Sequence, residues 1–289
     1  MKKIGLFVNQ KKPQAMEEVK HVASLAAGMG FTVYADAEIS KLSPTINVCD
    51  IKMFSRLGVE GVVVLGGDGT MLEASHRLGG QRLPLMGLNM GSLGYLTSVE
   101  QHQFSEALHQ LREDRFQISS RAALATRVIH MSGEAETIPD ALNDVVISHG
   151  ASGRAVELEL SLNDLTVASF LCDGVIIATA TGSTAYSLSA GGPIMLPDAE
   201  TFVINVICPH TLTFRPLVVK STTRIALRVV RCPVPLIVSS DGRDDVKLQA
   251  DDKVEIVRSE QDVPVIELNG YNACDVLCRK LRWGYTERK

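Results

Sequence analysis

An apolar run that ends abruptly in glycine constrains this chain more than any other feature. Val62-Val63-Val64-Leu65 leads straight into Gly66-Gly67-Asp68-Gly69-Thr70, and Met71-Leu72-Glu73-Ala74-Ser75 follows. The order predicts a buried strand, a glycine turn and a helix start. Three glycines let the backbone approach a ligand closely and take conformations a Cβ forbids. The free N–H groups and partial positive charge of a helix N-terminus suit phosphate. Asp68 is unusual in such a turn, because it repels phosphate unless a cation intervenes or unless its task is to take a proton. A plain turn with Asp68 as helix cap also fits the local pattern. Two known phosphate patterns do not fit. The P-loop lysine is missing, and Gly67-Asp68-Gly69-Thr70-Met71-Leu72 lacks the third glycine of the dinucleotide fingerprint.

A chain of 289 residues has room for about two domains. Its 45% hydrophobic and 21% charged residues are those of a soluble globular protein. The net charge of −4 argues against nucleic acid or an anionic membrane as partner, so positive charge at a phosphate site is local or arrives with a metal. No apolar run reaches the length of a membrane span. Met1-Lys2-Lys3 resembles the start of a signal peptide, but Ile4 to Val8 is too short an apolar stretch, and a cytoplasmic protein is expected. Cys49, Cys172, Cys208, Cys232, Cys274 and Cys278 show no zinc-ribbon spacing and read as reduced thiols, the last two as helix neighbours. The single tryptophan, Trp283, is expected to anchor the tail by packing.

Along the first third, strand and helix alternate. Lys3 to Asn9 predicts a strand. Pro13 opens an amphipathic helix through Val19, Val22, Ala23 and Ala26 that stops near Gly28 and Gly30. Phe31 to Ala35 is a second strand, a short helix is expected before Gly61, and Pro84 to Leu88 is a further strand after Gly79-Gly80. This is the pattern of a parallel sheet covered on both faces. Ligands of such sheets gather at the carboxyl ends of strands, where the glycine turn, Asn9 and Asn89 would lie. In Gly91-Ser92-Leu93-Gly94-Tyr95, Tyr95 either offers its ring to a base or fills the core. Phe104 to Leu111 is expected to be a helix linking two domains. From Gln117 to Ile266 the chain breaks into short runs rich in Val, Ile, Leu and Thr, such as Val156 to Leu162 and Val175 to Thr179. Turns such as Asn163-Asp164 and Asp241-Gly242 separate them, as in a mostly antiparallel β domain. The expected division is 1–100 as the α/β domain, 101–268 as the β domain and 269–289 as a helical, basic tail that packs back on the first.

The second half carries its own polar motifs. Asn143-Asp144 precedes Val145-Val146-Ile147; an amide matches an adenine edge and a carboxylate accepts from ribose hydroxyls, though alone the pair reads as turn chemistry. Asp173-Gly174 stands before another apolar strand. Arg154, in a glycine-flanked loop, meets a phosphate or is solvated, and His210 after Cys208-Pro209 reads as structural. Thr181 to Pro193 is small, hydroxyl-rich and interrupted by Tyr186, with glycines bracketing a short helix. Small residues admit a flat ligand against the backbone while hydroxyls and N–H groups bind its polar edge. A serine nucleophile is the rival reading, but no Gly-x-Ser-x-Gly elbow is present.

Taken together, these motifs resemble bacterial NAD kinases over nearly the whole chain. The resemblance rests on Gly66 to Thr70, Asn89-x-Gly91-x-Leu93-Gly94-Tyr95, Asn143-Asp144, Asp173-Gly174, Thr181 to Pro193, Pro209-His210-Thr211-Leu212 and Arg215-Pro216. It implies a Rossmann-like parallel α/β domain followed by a β-sandwich-like domain, and a homodimer or homotetramer. It implies transfer of the γ-phosphate of ATP, bound with a divalent cation such as Mg²⁺, to the 2′-hydroxyl of the adenosine ribose of NAD. Nucleic acid and membrane have no place as partners. By the motif match Asp68 is the base and Gly69 stays close to the diphosphate. Asn143 and Asp144 contact adenine and ribose, and Arg154 falls at a basic or polar binding position. Asp173 with Thr184, Ala185, Tyr186, Ser187, Leu188 and Ser189 lines the NAD pocket, with Tyr186 packed on the nucleotide. Three positions depart from the family pattern: Asp144 where Glu is frequent, Leu171 where a basic residue is frequent, and Arg243 where Gln is common. The alternatives are a lipid or sugar kinase sharing only the glycine turn, and a dinucleotide sensor without turnover.

Overall fold

The computed structural model describes residues 1–91, 94–97, 99–149 and 154–283; Ser92 and Leu93 of the expected ligand loop, and residues 284–289 of the expected tail, lie outside them. Contacts divide the chain into two units, Met1–Ser120 joined by the residues from Val263 onward, and Arg121–Asp262.

The first unit is built on one sheet with the strand order Ile46–Val48, Thr32–Ala35, Lys3–Val8, Gly61–Gly66, Leu85–Asn89, Val263–Leu268, Phe116–Arg121, and the short Val99–Glu100 pairs with Leu85–Asn89. From Ile46–Val48 to Val263–Leu268 every pairing is parallel. The run Val62 to Leu65 is at most 1% exposed, as a strand covered on both faces requires. Its alternate residues serve two cores. Val63 and Leu65 share one cluster with Val19, Val22 and Ala26 of the helix Pro13–Gly28 and with Leu108 and Leu111 of the helix Phe104–Arg112. On the opposite face Phe54 packs so tightly on Gly5 that a Cβ there would stand 2.3 Å from the Phe54 ring.

Four local expectations change. The helix Phe104–Arg112 is no free link, because Phe104, Leu108 and Leu111 are buried in the first unit's core. The strand Val263–Leu268 returns to the first unit's sheet, so the units divide at other places than the boundaries expected from composition. The helix expected before Gly61 is two single 3₁₀ turns, Ile51–Met53 and Ser55–Leu57. Trp283 is 54% exposed, so it does not anchor by burial; Val276 and Leu277 do that for the helix Ala273–Leu281.

The second unit is a pair of six-stranded sheets. One runs Leu217–Lys220, Thr201–Ile207, Gly174–Ala178, Asp144–His149, Leu236–Ser240, Arg243–Leu248; the other runs Leu165–Cys172, Val156–Leu162, Ile225–Arg231, Lys253–Arg258, Leu124–Ile129, Ala135–Ala141. All neighbours are antiparallel. Val145, Ile147, Val175, Ile177 and Val238 of the first sheet and Leu158, Leu160, Leu227, Val254 and Ile256 of the second fill one core between them. The outer face of the first sheet is apolar as well: Val146, Ile176, Ala178 and Val203 pack with Ala180 and Met195, which flank the hydroxyl-rich segment.

Candidate functional site

In the first unit the glycine turn sits where the strand order reverses. Lys3–Val8 has Thr32–Ala35 on one side and Gly61–Gly66 on the other. The carboxyl ends of those central strands are where open α/β sheets take ligands. Asn9 directly follows one of them. Its N–H donates to the Leu65 carbonyl at 3.1 Å and its Nδ2 to Thr70 Oγ1 at 3.3 Å. Thr70 Oγ1 also accepts from the Gly67 N–H. A Cβ on Gly66 would stand 2.1 Å from that oxygen, so this turn requires glycine. Gly69 is exposed, with open space where a Cβ would point. At the same edge Asn89 and Gly91 line a polar cavity of about 820 Å³.

Asp68 opens the helix Asp68–Leu78, where the dipole favours an anion. Its Oδ1 accepts the N–H of Leu96 at 2.9 Å, the N–H of Thr97 at 3.2 Å and the Thr97 hydroxyl at 3.3 Å. Its Oδ2 accepts the N–H of Tyr95 at 2.8 Å and the Lys280 ammonium at 3.2 Å. Gly94 is what lets this loop close on the carboxylate, since a Cβ there would stand 2.1 Å from Asp68 Oδ1. Tyr95 is 4% exposed, with Lys280 Nζ 5.9 Å from its ring centroid, so the core reading of this residue holds and the base-stacking reading does not.

In the second unit one acid positions another. Asp241 takes a left-handed conformation in the two-residue turn between Leu236–Ser240 and Arg243–Leu248. Its carboxylate accepts the N–H groups of Leu142, Asn143 and Asp144 at 2.9, 2.8 and 3.1 Å. The Asn143 and Asp144 side chains therefore stand on a backbone fixed by a residue almost a hundred positions away. Asp144 is 6% exposed and accepts the N–H of Tyr186, which joins it to the hydroxyl-rich segment. Burial, reinforced by the charge of Asp241, pushes the Asp144 carboxyl up to about 7. Asn143 is half-buried, and its carbonyl accepts the Thr179 N–H at 2.9 Å.

The segment after Thr179 divides its side chains between packing and solvent. It forms a 3₁₀ turn, Thr181–Thr184, and a one-turn helix, Tyr186–Ser189. Ser183 is fully buried; its hydroxyl donates to the Ala180 carbonyl and accepts the Met195 N–H. Ser187 is fully buried too, and its carbonyl accepts from Asn205 Nδ2 at 3.0 Å. The Ser183 hydroxyl thus serves the fold, whereas the Ser187 hydroxyl is buried without a hydrogen-bond partner among the described residues. Thr184, Ala185 and Leu188 are half-buried, and Tyr186 and Ser189 are exposed. A Cβ on Gly182 would stand 1.9 Å from the Asn143 carbonyl oxygen. Gly182→Ala is therefore expected to force the two motifs apart, at a cost of about 3 kcal/mol. Thermal melting should show a loss of roughly 6–12 °C. Asp173 stands 3.5 Å from His149 Nε2, and Arg154 is exposed.

Sequence reasoning missed Lys280, Thr97, Asp241 and His149. The basic composition of the tail was the one signal for Lys280, and the Asp241-Gly242 turn was visible as a turn only.

Comparison with known proteins identifies the family. The ATP-NAD kinase N-terminal domain model matches residues 4–116 and the ATP-NAD kinase C-terminal domain model matches residues 142–268. Both halves thus match, which a shared glycine turn alone does not produce, and the lipid or sugar kinase reading is not supported. An NAD kinase of Citrifermentans bemidjiense is 34% identical over 98% of this chain and 99% of its own. One from Symbiobacterium thermophilum is 35% identical over 97% and 99%. Among solved structures, yeast NADH kinase complexed with NADH superposes with a TM-score of 0.89 at 20% identity, covering 100% of this chain and 89% of that one. An NAD kinase from Archaeoglobus fulgidus in complex with ATP gives 0.76 at 23% identity, covering 97% and 98%. The chain belongs to the ATP-NAD kinase family.

Proposed function

We propose that Asp68 is the base of an NAD kinase reaction in which the 2′-hydroxyl of the adenosine ribose attacks the γ-phosphorus of ATP, giving NADP and ADP. The observation that carries this reading is the Asp68 carboxylate itself, fixed by three backbone N–H groups at the ligand edge of the parallel sheet. A ribose hydroxyl is a weak acid, so a carboxylate helps as the proton leaves in the transition state. Phosphoryl transfer otherwise needs positioning and charge neutralisation. Gly69, open above the helix N-terminus, leaves space for a diphosphate.

In the second unit Asn143 faces adenine and Asp144 accepts from ribose hydroxyls. Asp173, Thr184, Ala185, Leu188 and Ser189 line the NAD pocket, and the exposed ring of Tyr186 lies on the nucleotide. Ser187 contributes through its backbone, given its burial. Arg154 is exposed and available to a phosphate.

A divalent cation belongs to ATP-dependent kinases of this family, and Mg²⁺ is the ion we assign. Among the described residues each hydrogen-bond partner of the Asp68 carboxylate is a donor, and no group of three His, Cys, Asp or Glu is placed to hold a metal. These residues do not fit a protein-bound ion; the cation travels with the ATP phosphates as part of the substrate. No helix among the described residues is long and apolar enough to cross a membrane. Six free cysteines support a reducing, cytoplasmic setting. Leu212, Leu217 and Val218, exposed on and beside an edge strand, support a homodimer or homotetramer.

With ATP, Mg²⁺ and NAD, the purified protein is expected to form NADP and ADP in equal amounts, read with an NADP-specific dehydrogenase. Binding of NAD without NADP formation from ATP would overturn the reading.

A further inference from the structure

Among the described residues the carboxylate of Asp68 carries five donors, and one of these is free to leave. Two N–H groups and a hydroxyl crowd Oδ1, while Oδ2 holds the Tyr95 N–H and the Lys280 ammonium. A carboxylate offers about four lone-pair positions, so an incoming ribose hydroxyl finds none vacant. The three N–H groups are fixed in the backbone, and Thr97 is fully buried. Lys280 differs: its ammonium is a compact charge on a flexible four-carbon stem, and 28% of its side chain is exposed.

We propose that Lys280 is a mobile cation of the phosphoryl-transfer step. It holds Asp68 Oδ2 in the free enzyme, yields that oxygen to the ribose hydroxyl, and sets its ammonium against the oxygens of the transferring phosphoryl group. The inference rests on the reading of Asp68 as base. In the step itself a lone pair of the hydroxyl oxygen forms the bond to the γ-phosphorus. The bond from that phosphorus to the bridging oxygen breaks, and its electron pair leaves with ADP. The hydroxyl proton passes to Asp68 Oδ2 and then to solvent. Lys280 remains an ammonium throughout and gives up no proton. The Tyr95 ring, 5.9 Å from Nζ, offers the cation a favourable face beside the carboxylate as it moves.

A purely structural tie is the competing account. The helix Ala273–Leu281 is already held by buried Val276 and Leu277 and by the ion pair of Arg279 with Glu100. It does not need Lys280 for its position.

The test compares Lys280→Met, Lys280→Arg and Asp68→Asn for kcat, for KM of NAD and ATP, and for melting temperature. Lys280→Met is expected to lower kcat about 10²-fold, as loss of a charge-stabilising donor does. Its KM for NAD should stay within about threefold, and its melting temperature within about 3 °C, as for a partly exposed ion pair. Lys280→Arg, which keeps the charge, should recover most of kcat; Lys280→Gln replaces the Met variant if the latter does not fold. A charge-deleted variant with kcat within twofold of the parent, or an Arg variant no better than Met, overturns the proposal. If Asp68→Asn is inactive while Lys280→Met is normal, the Lys280 inference alone fails. If Asp68→Asn itself turns over normally, the reading of Asp68 as base fails.

Discussion

Asp68→Asn is expected to lower turnover between about 10²- and 10⁴-fold, the range over which a positioned base contributes, while NAD still binds. The carboxamide keeps one oxygen for the N–H groups of Leu96 and Thr97. Its Nδ2 then confronts the Tyr95 N–H and the Lys280 ammonium, donors that now lack an acceptor. Stability should fall with activity by roughly 1–3 kcal/mol, the cost of an unsatisfied partner. Kinetics and calorimetry on one preparation separate the two losses. Turnover within tenfold of the parent would remove Asp68 from the role of base.

A second large effect belongs to Asp144. Its carboxyl titrates near 7 in the folded chain, against an ordinary value of 3.8, because burial and the charge of Asp241 oppose ionisation. The folded-state value is raised, so between these limits the folded state holds a proton that the unfolded state has lost. Stability from this site therefore declines as pH climbs from about 4 to 7 and is flat above. The difference amounts to about 4 kcal/mol. Asp144→Asn removes the buried charge, so the variant should melt higher than the parent at pH 8 and match it near pH 4. Binding moves the other way. A carboxylate accepts from two ribose hydroxyls and a neutral acid accepts less well, so NAD affinity should rise about tenfold between pH 6 and 8 in the parent. The Asn variant should be weaker at pH 8 and show no such slope. Calorimetry at pH 6, 7 and 8 decides it, and an equal slope in both proteins would contradict the assignment.

How much of this was legible in the sequence follows from how local each feature is. The buried strand and glycine turn were readable because Val62 to Leu65 and Gly66 to Thr70 form one uninterrupted segment, and the structure places them at the switch in strand order. Both fold classes followed from periodicity, and the family match supports them. Side-chain direction was not readable within Thr181 to Pro193. Ser183 and Ser187 carry the same hydroxyl as Thr184 and Ser189 but point into the packing. Lys280 meets Asp68 across 212 positions, and Asp241 reaches Asn143 across 98, distances over which no local pattern carries information. The return of Val263–Leu268 to the first sheet was hidden for the same reason, since an apolar strand reads alike whichever sheet it joins. Trp283 misled because its large ring suggested an anchor, whereas smaller Val276 and Leu277 are the buried residues.

The most direct test of the account is a single-turnover experiment with labelled NAD limiting and enzyme, ATP and Mg²⁺ in excess. Quenched samples are digested to locate the new phosphate. The account predicts phosphate on the 2′-oxygen of the adenosine ribose, formed in one phase by the parent and at least about 10²-fold more slowly by Asp68→Asn. An Asp68→Asn chemical step as fast as the parent's, with only product release altered, would contradict it.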